Sequence, residues 1–202
     1  MAARGVFPGS FNPPTVAHLA IARAARDRHG LDAVDLVVSR RSLAKEEVEH
    51  PRFDDRIEVI RRSIESHSWL DVVVTEAQLL VDIARGYDLL IVGADKWAQI
   101  RELKWYDTPE ARDLALAELP PTAIVPRHGY THPNDRVLDL DDSTLASVSS
   151  TRARAGEIEL MAPAARRFAL ETGAWIDPAR YQGDGTGERT GRSGIPPTRP
   201  LL

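Results

Sequence analysis

Gly9-Ser10-Phe11-Asn12-Pro13-Pro14-Thr15-Val16-Ala17-His18 follows a short apolar run, Gly5-Val6-Phe7, and opens an Ala-rich helical pattern. A strand, a Gly/Pro-rich turn and a helix N-terminus in that order make a cradle for a phosphate. The N–H groups of a first helical turn lack internal partners and point at whatever anion sits there. His18 falls in that turn, where its imidazole can donate to a phosphoryl oxygen. The plainer reading of the same residues is turn punctuation, with Thr15 as an N-cap and His18 as a bystander.

Outward from this stretch, short apolar runs alternate with helical patterns, the mark of βαβ units and a parallel sheet. The runs are Gly5–Phe7, Val34–Val38, Val72–Val74, Leu89–Val92, Ala123–Val125 and Val137–Leu140. Thr15–His29 reads as a helix ended by Gly30. Phe53, Ile57, Ile60 and Ile64 recur at helical spacing after Pro51. Glu76–Arg85 and Thr108–Leu119 are further helix candidates, and a last helix starts near Pro163 and stops at Gly173. Right-handed crossovers then give an α/β fold, a doubly wound Rossmann-like parallel sheet whose ligand crevice lies beyond the strand C-termini. Phe7–His18, Gly93–Asp95 and Arg127–Gly129 follow the first, fourth and fifth strands, so all three belong on one rim.

The chain has 202 residues, enough for one domain with a proper core. A net charge of −4 gives no basic field for nucleic acid, and the absence of cysteine removes disulfides, thiolate catalysis and Cys-ligated zinc. No stretch approaches the ~18 apolar residues of a membrane span. The N-terminus lacks a signal-peptide pattern, so the chain reads as cytoplasmic. Nothing in the pattern sets an oligomeric state. From Gly183 to Leu202 composition turns to Gly, Thr, Arg and Pro, which cannot repay its ordering entropy. The domain is expected over residues 1–182, with 183–202 a flexible tail.

Two more segments carry chemistry. Val148-Ser149-Ser150-Thr151-Arg152-Ala153-Arg154 opens a short helix with three hydroxyl residues and two arginines, a grouping suited to a triphosphate or to an ordinary cap with solvated charges. Leu90-Ile91-Val92-Gly93-Ala94-Asp95 is a buried strand running into Gly-Ala-Asp. Gly93 there permits close backbone approach, and Asp95 either caps a helix or binds a ribose hydroxyl. His128 and His132 flank Gly129 in a loop without acidic partners, a poor zinc pattern.

The decapeptide resembles the signature of the nucleotidylyltransferase superfamily, where a Gly-x-Phe-Asp/Asn-Pro turn precedes a His/Thr-x-x-His helix start. With Asn12 and Thr15 it is similar to the nicotinamide/nicotinate mononucleotide adenylyltransferases. Val148–Arg154 resembles that family's Ile-Ser-Ser-Thr-x-x-Arg, Gly93–Asp95 its Gly-Ala-Asp, and Val125-Pro126-Arg127-His128-Gly129 its Val-x-Arg-x-Gly. Lys45 and Arg56 are similar in order and spacing to a loop lysine and a helix arginine, although Lys45 beside Glu46 and Glu47 also reads as a solvated charge run. The likeness departs in the centre: Glu76–Arg85 lacks the Tyr-Thr-x-x-Thr-Leu segment of bacterial members.

The resemblance implies adenylyl transfer from ATP to a nicotinate or nicotinamide mononucleotide with release of pyrophosphate. It implies His18, Thr15 and Arg154 as catalytic residues. Gly9, Ser10, Phe11, His18, Gly93, Asp95, Ser150, Thr151 and Arg154 would bind ATP, and Lys45, Arg56, Trp105 and Arg127 the acceptor. Trp105 is preferred to Trp97 for stacking on the pyridine, and both also suit a core. Mg²⁺ would be held by ATP phosphates and water, with no metal ligand from the protein. The alternatives are another phosphorylated acceptor, or a relative that binds nucleotide without turnover.

Overall fold

Five parallel strands in the order β3-β2-β1-β4-β5 make the sheet. They are β1 (Arg4–Pro8), β2 (Ala33–Ser39), β3 (Leu70–Thr75), β4 (Leu89–Gly93) and β5 (Thr122–Val125). The computed structural model describes residues 2–40, 50–140 and 143–182, which leaves Lys45 and the expected tail outside the described residues. The helices are α1 (Val16–His29), α2 (Phe53–Ile64), α3 (Leu80–Ala84), α4 (Ala94–Gln99), α5 (Pro109–Ala117), α6 (Ser150–Arg154) and α7 (Pro163–Thr172).

Period-two alternation divides the strands between two cores. Phe7, Val34, Leu36, Val38, Ile91 and Val125 pack with Ile21 and Ala25 of α1 and with Ile57 and Ile60 of α2. Their neighbours Val6, Val37, Leu90, Val92 and Ile124 pack on the other face with Leu80, Ala84, Trp97 and Ile100. Both faces are covered, as the doubly wound reading requires. A third cluster joins α7 to α2: Ala162, Ala165 and Ala169 meet Val59, Met161, Trp175 and Tyr181. Alanine on the α7 face lets the two helices approach closely.

Helix ends follow the local chemistry. Thr15 caps α1, and Gly30 ends it at φ 61, a left-handed position that glycine takes without strain. Thr108 caps α5, and Pro109 sits at its first turn.

Two expected elements differ. Val137–Leu140 is no strand: Pro133 and a 3₁₀ turn over Asn134–Arg136 run directly into it. Only Val137 bridges to Ile124, while Leu138 is fully buried. Glu76–Arg85 is helical only over Leu80–Ala84. Its first residues are drawn to the strand ends instead, where the Ala77 carbonyl accepts from Ser39 Oγ at 2.7 Å and the Ala77 N–H donates to Thr75 Oγ1 at 3.1 Å.

Two polar clusters brace this frame. Asp35, 3% exposed, accepts Arg4 at 2.6 and 2.8 Å and the Tyr87 hydroxyl at 2.8 Å, joining β1, β2 and the approach to β4. Burial, and then the Asp35 carboxylate, push the Tyr87 phenol up. At the C-terminal side Tyr181 donates to Asp55 and accepts the Arg52 N–H at 3.0 Å. Burial first, then the bond to Asp55, push its pKa up to about 12.

Because the folded value lies above the unfolded one, this contribution is full below pH ~10 and is lost as pH rises through about 12. Urea unfolding of the intact chain and Tyr181→Phe at pH 8 and pH 11.5 checks this. The intact chain should lose roughly 1–3 kcal/mol more than the variant over that interval; parallel losses would contradict it.

Candidate functional site

The strand order reverses at β1, whose neighbours are β2 and β4, so α1 and α3 leave the sheet on opposite faces and open a crevice at the strand C-termini. A cavity of about 290 Å³ occupies it. The turn after β1 forms its floor. Gly9 continues the ladder, donating to the Val37 carbonyl at 3.0 Å. The Phe11 ring lies over Gly9 so closely that a Cβ there would fall 2.9 Å from it. Phe11 itself is 2% exposed at φ 41, an uncommon backbone state for a non-glycine residue. Its ring stands edge-on to His18 at 4.9 Å.

The turn cannot bond itself together, because Pro13 and Pro14 have no N–H. Its carbonyls are taken from far along the chain. Ser150 Oγ donates to the Pro13 carbonyl at 2.8 Å, Arg154 to the Asn12 carbonyl, and the Ala162 N–H to the Pro14 carbonyl at 2.9 Å. The Trp175 indole N–H donates to Asn12 Oδ1.

Thr15 and His18 form a reciprocal capping box. The His18 N–H donates to Thr15 Oγ1 at 3.4 Å, and the Thr15 N–H donates to His18 Nδ1 at 2.9 Å. A backbone N–H can only donate, so Nδ1 is the acceptor nitrogen and the ring proton resides on Nε2. Thr15 is fully buried and is not a lining residue. Thr15, expected among the catalytic residues, instead lies behind His18, bridged to Met161, and positions that ring.

On the α1 and α6 side the cavity is lined by Ser10, His18, Ser150, Thr151 and Arg154. The two arginines of α6 part company. Arg154 faces the cavity, while Arg152 pairs with Glu157 and donates to the Ser147 carbonyl at 3.0 Å. From β4 and β5 come Gly93, Asp95 and Arg127. A Cβ on Gly93 would lie 2.4 Å from Asp95 Oδ1, so the bare glycine is what lets that carboxylate fold back over the strand end. The N-cap of α4 is Gly93 and receives no side-chain bond, so Asp95 is no cap here. Arg127 donates to the Val148 carbonyl at 3.4 Å.

Gly9, Phe11 and Trp105 complete the residues that the sequence reading placed in the site and the fold brings together. Arg56 is not among them. It is 8% exposed on α2 with its guanidinium over the Phe53 ring at 5.2 Å, and burial pulls its pKa down. Trp97 belongs to the core under Arg136. Among the described residues no three His, Asp or Glu side chains converge to hold a metal ion.

Sequence reasoning missed Lys96, Gln99 and Tyr106, which line the cavity from α4 and the turn after it. The available signal was their place one turn along from Asp95 and next to Trp105. Burial lowers the Lys96 pKa, with the nearby Asp95 charge opposing the shift. Three cationic side chains, Lys96, Arg127 and Arg154, line the cavity together with one carboxylate, Asp95. The arrangement suits an anion with several charged oxygens, held near one imidazole N–H donor.

The cytidylyltransferase-like family model matches residues 6–156. A probable nicotinate-nucleotide adenylyltransferase of Solibacter usitatus (strain Ellin6076) is 28% identical over 168 residues, which cover 74% of this chain and 84% of that protein. One of the same name from Gloeobacter violaceus is 36% identical over 74 residues, 37% of this chain and 36% of its own. The structure of Plasmodium falciparum nicotinic acid mononucleotide adenylyltransferase complexed with NaAD superposes with a TM-score of 0.65 at 15% identity. The match spans 87% of this chain and 98% of that one, a likeness of fold.

Thr15→Val removes the cap hydroxyl and keeps the backbone N–H that holds Nδ1. It should cost about 1 kcal/mol in denaturant unfolding. Long-range ¹H–¹⁵N correlation at neutral pH should show His18 protonated at Nε2 in both proteins; an Nδ1–H tautomer would overturn the assignment.

Proposed function

The chain belongs to the cytidylyltransferase-like family, and we propose that it transfers the adenylyl group of ATP to a nicotinate or nicotinamide mononucleotide, releasing pyrophosphate. The observation that carries this reading is the division of one cavity. His18, Ser150, Thr151, Arg127 and Arg154 supply donors and charge, and Leu79, Leu80, Ile83, Ile100 and Trp105 supply an apolar surface for a flat ring. The names of the bacterial relatives support the acceptor class.

In the reaction a 5′-phosphate oxygen of the acceptor attacks the α-phosphorus of ATP in line. The new P–O bond forms as the bond from the α-phosphorus to the α,β-bridging oxygen breaks, and that oxygen leaves with pyrophosphate. Such a transfer needs positioning and charge stabilisation, with no covalent nucleophile from the protein. His18 Nε2–H donates to a non-bridging α-phosphate oxygen as charge grows there, and the Thr15 N–H on Nδ1 keeps the ring from turning. Arg154 and Thr151 hold the β- and γ-phosphates, with the Gly9–Phe11 turn beneath them. Asp95, folded back over the bare Gly93, receives the ribose hydroxyls. Arg127 meets the acceptor phosphate.

Mg²⁺ enters as part of the substrate Mg·ATP. Asp95 is the one carboxylate among the described lining residues, so phosphate oxygens and water supply the cation's ligands. We assign the activity to residues 1–182, since the described lining residues end at Arg154.

The test is pyrophosphate release from Mg·ATP with each mononucleotide in turn. His18→Ala should lower kcat by roughly 100- to 1,000-fold, the size of losing one preorganised donor to a developing oxyanion. A rate within a few-fold of the intact enzyme would overturn the role.

A further inference from the structure

Among the described residues only Phe11, at φ 41, and Trp175, at φ 70, hold positive φ without being glycine. Both bear on Asn12. Phe11 precedes it in the turn that floors the cavity, and the Trp175 indole N–H donates to Asn12 Oδ1 from 163 residues away. Such a backbone state is costly for a bulky residue and persists only where surrounding contacts enforce it. For Trp175 the Ile176 and Asp177 N–H groups both donate to the Gly173 carbonyl, at 3.1 and 2.7 Å. The Ala174 N–H donates to Thr172 Oγ1 at 3.1 Å. Trp175 is 5% exposed and its ring stands against Phe168 at 5.8 Å, in the cluster that joins α7 to α2.

Packing alone would be served by any large apolar ring at this place. The indole adds a donor, and the donor meets a buried amide, since Asn12 is 4% exposed. An indole nitrogen can only donate, so the amide turns Oδ1 toward Trp175. Asn12 is thereby tied twice, its side chain to Trp175 and its carbonyl to Arg154. Arg154 Nη2 also reaches Thr151 Oγ1 at 3.5 Å, a long contact, so the Asn12 carbonyl sets where the guanidinium stands. Arg154 lines the cavity and Trp175 does not.

We propose that Trp175 is a positioning residue for polyphosphate binding: through Asn12 it fixes the carbonyl that aims Arg154 at the β- and γ-phosphates of ATP. This rests on the adenylyl-transfer reading above. Without the indole donor a buried amide oxygen loses its partner, and Asn12 turns toward another and carries its carbonyl with it. The guanidinium then loses the fixed fork geometry that makes arginine effective on phosphate.

Calorimetric binding of Mg·ATP and of AMP, which lacks the β- and γ-phosphates, to the intact chain and to Trp175→Phe tests the proposal. The variant keeps a ring and deletes the donor. Its Kd for Mg·ATP should rise about tenfold, the scale of one hydrogen bond to a charged group, and its Kd for AMP should stay within about twofold. In an Arg154→Ala background the same change should add less than about twofold, because the route through Arg154 is already cut. An unchanged Mg·ATP affinity, an equal weakening of AMP, or a full tenfold effect without Arg154 would each overturn the role. If Trp175→Phe does not fold, the indole ¹H–¹⁵N signal of Trp175 in the intact chain decides. It should shift with Mg·ATP and stay in place with AMP; no shift with Mg·ATP, or equal shifts with both, would overturn the role. Pyrophosphate release by the intact chain is scored separately: its absence with both mononucleotides overturns the reaction, while the binding data still decide the role of Trp175.

Discussion

The site depends on how the β1–α1 turn satisfies its own carbonyls. Two consecutive prolines remove the N–H groups that a turn of this length would use on itself, and buried acceptors must then be met from elsewhere. Ser150, Arg154, Ala162 and Trp175 meet them across 137 to 163 residues of sequence. The final third of the chain therefore helps to hold the floor of the cavity. Ser150 and Arg154 serve twice, each bonding the turn while lining the cavity beside it. Position of the donors and integrity of the turn are one property.

From that clamp the chemistry follows in layers. The capping box orders His18 from the backbone side and decides its tautomer. Phe11, wedged over Gly9, packs edge-on against the imidazole. Donors gather where α1 and α6 begin, because helix N-termini and the reversal of strand order both occur there. On the other face of the sheet α3 and α4 bring aliphatic residues. A polyphosphate and a flat ring can thus lie in one crevice without competing for the same wall.

Much of this was legible in the sequence. The alternation of apolar runs with helical spacing named all five strands, because residues buried on both faces must be apolar along their whole length. The Gly9–His18 and Ser149–Arg154 segments were readable as parts of one site from hydroxyls, glycine and a histidine in the first turn of a helix, and the fold brings them to one cavity. The misreadings have local causes. Val137–Leu140 has strand composition and no room to pair, since a 3₁₀ turn runs straight into it. Glu76-Ala77-Gln78-Leu79 has helical composition, yet Ser39 and Thr75 at the sheet edge bind its backbone first. Lys96 and Gln99 look like ordinary solvated helix residues, and only the fold sets them along the cavity wall.

By itself the sequence determined the fold class, the helix caps and the residue types available for phosphate chemistry, all of which depend on neighbours within one turn or one strand. The tertiary structure alone decided which of two arginines in α6 faces the cavity, since Glu157 captures Arg152 and the Asn12 carbonyl captures Arg154. It also decided that Thr15 acts on His18 from behind and that Arg56 packs on Phe53 instead of entering the site. Side-chain direction depends on partners more than a hundred residues away in sequence, and pattern within a short window carries no information about them.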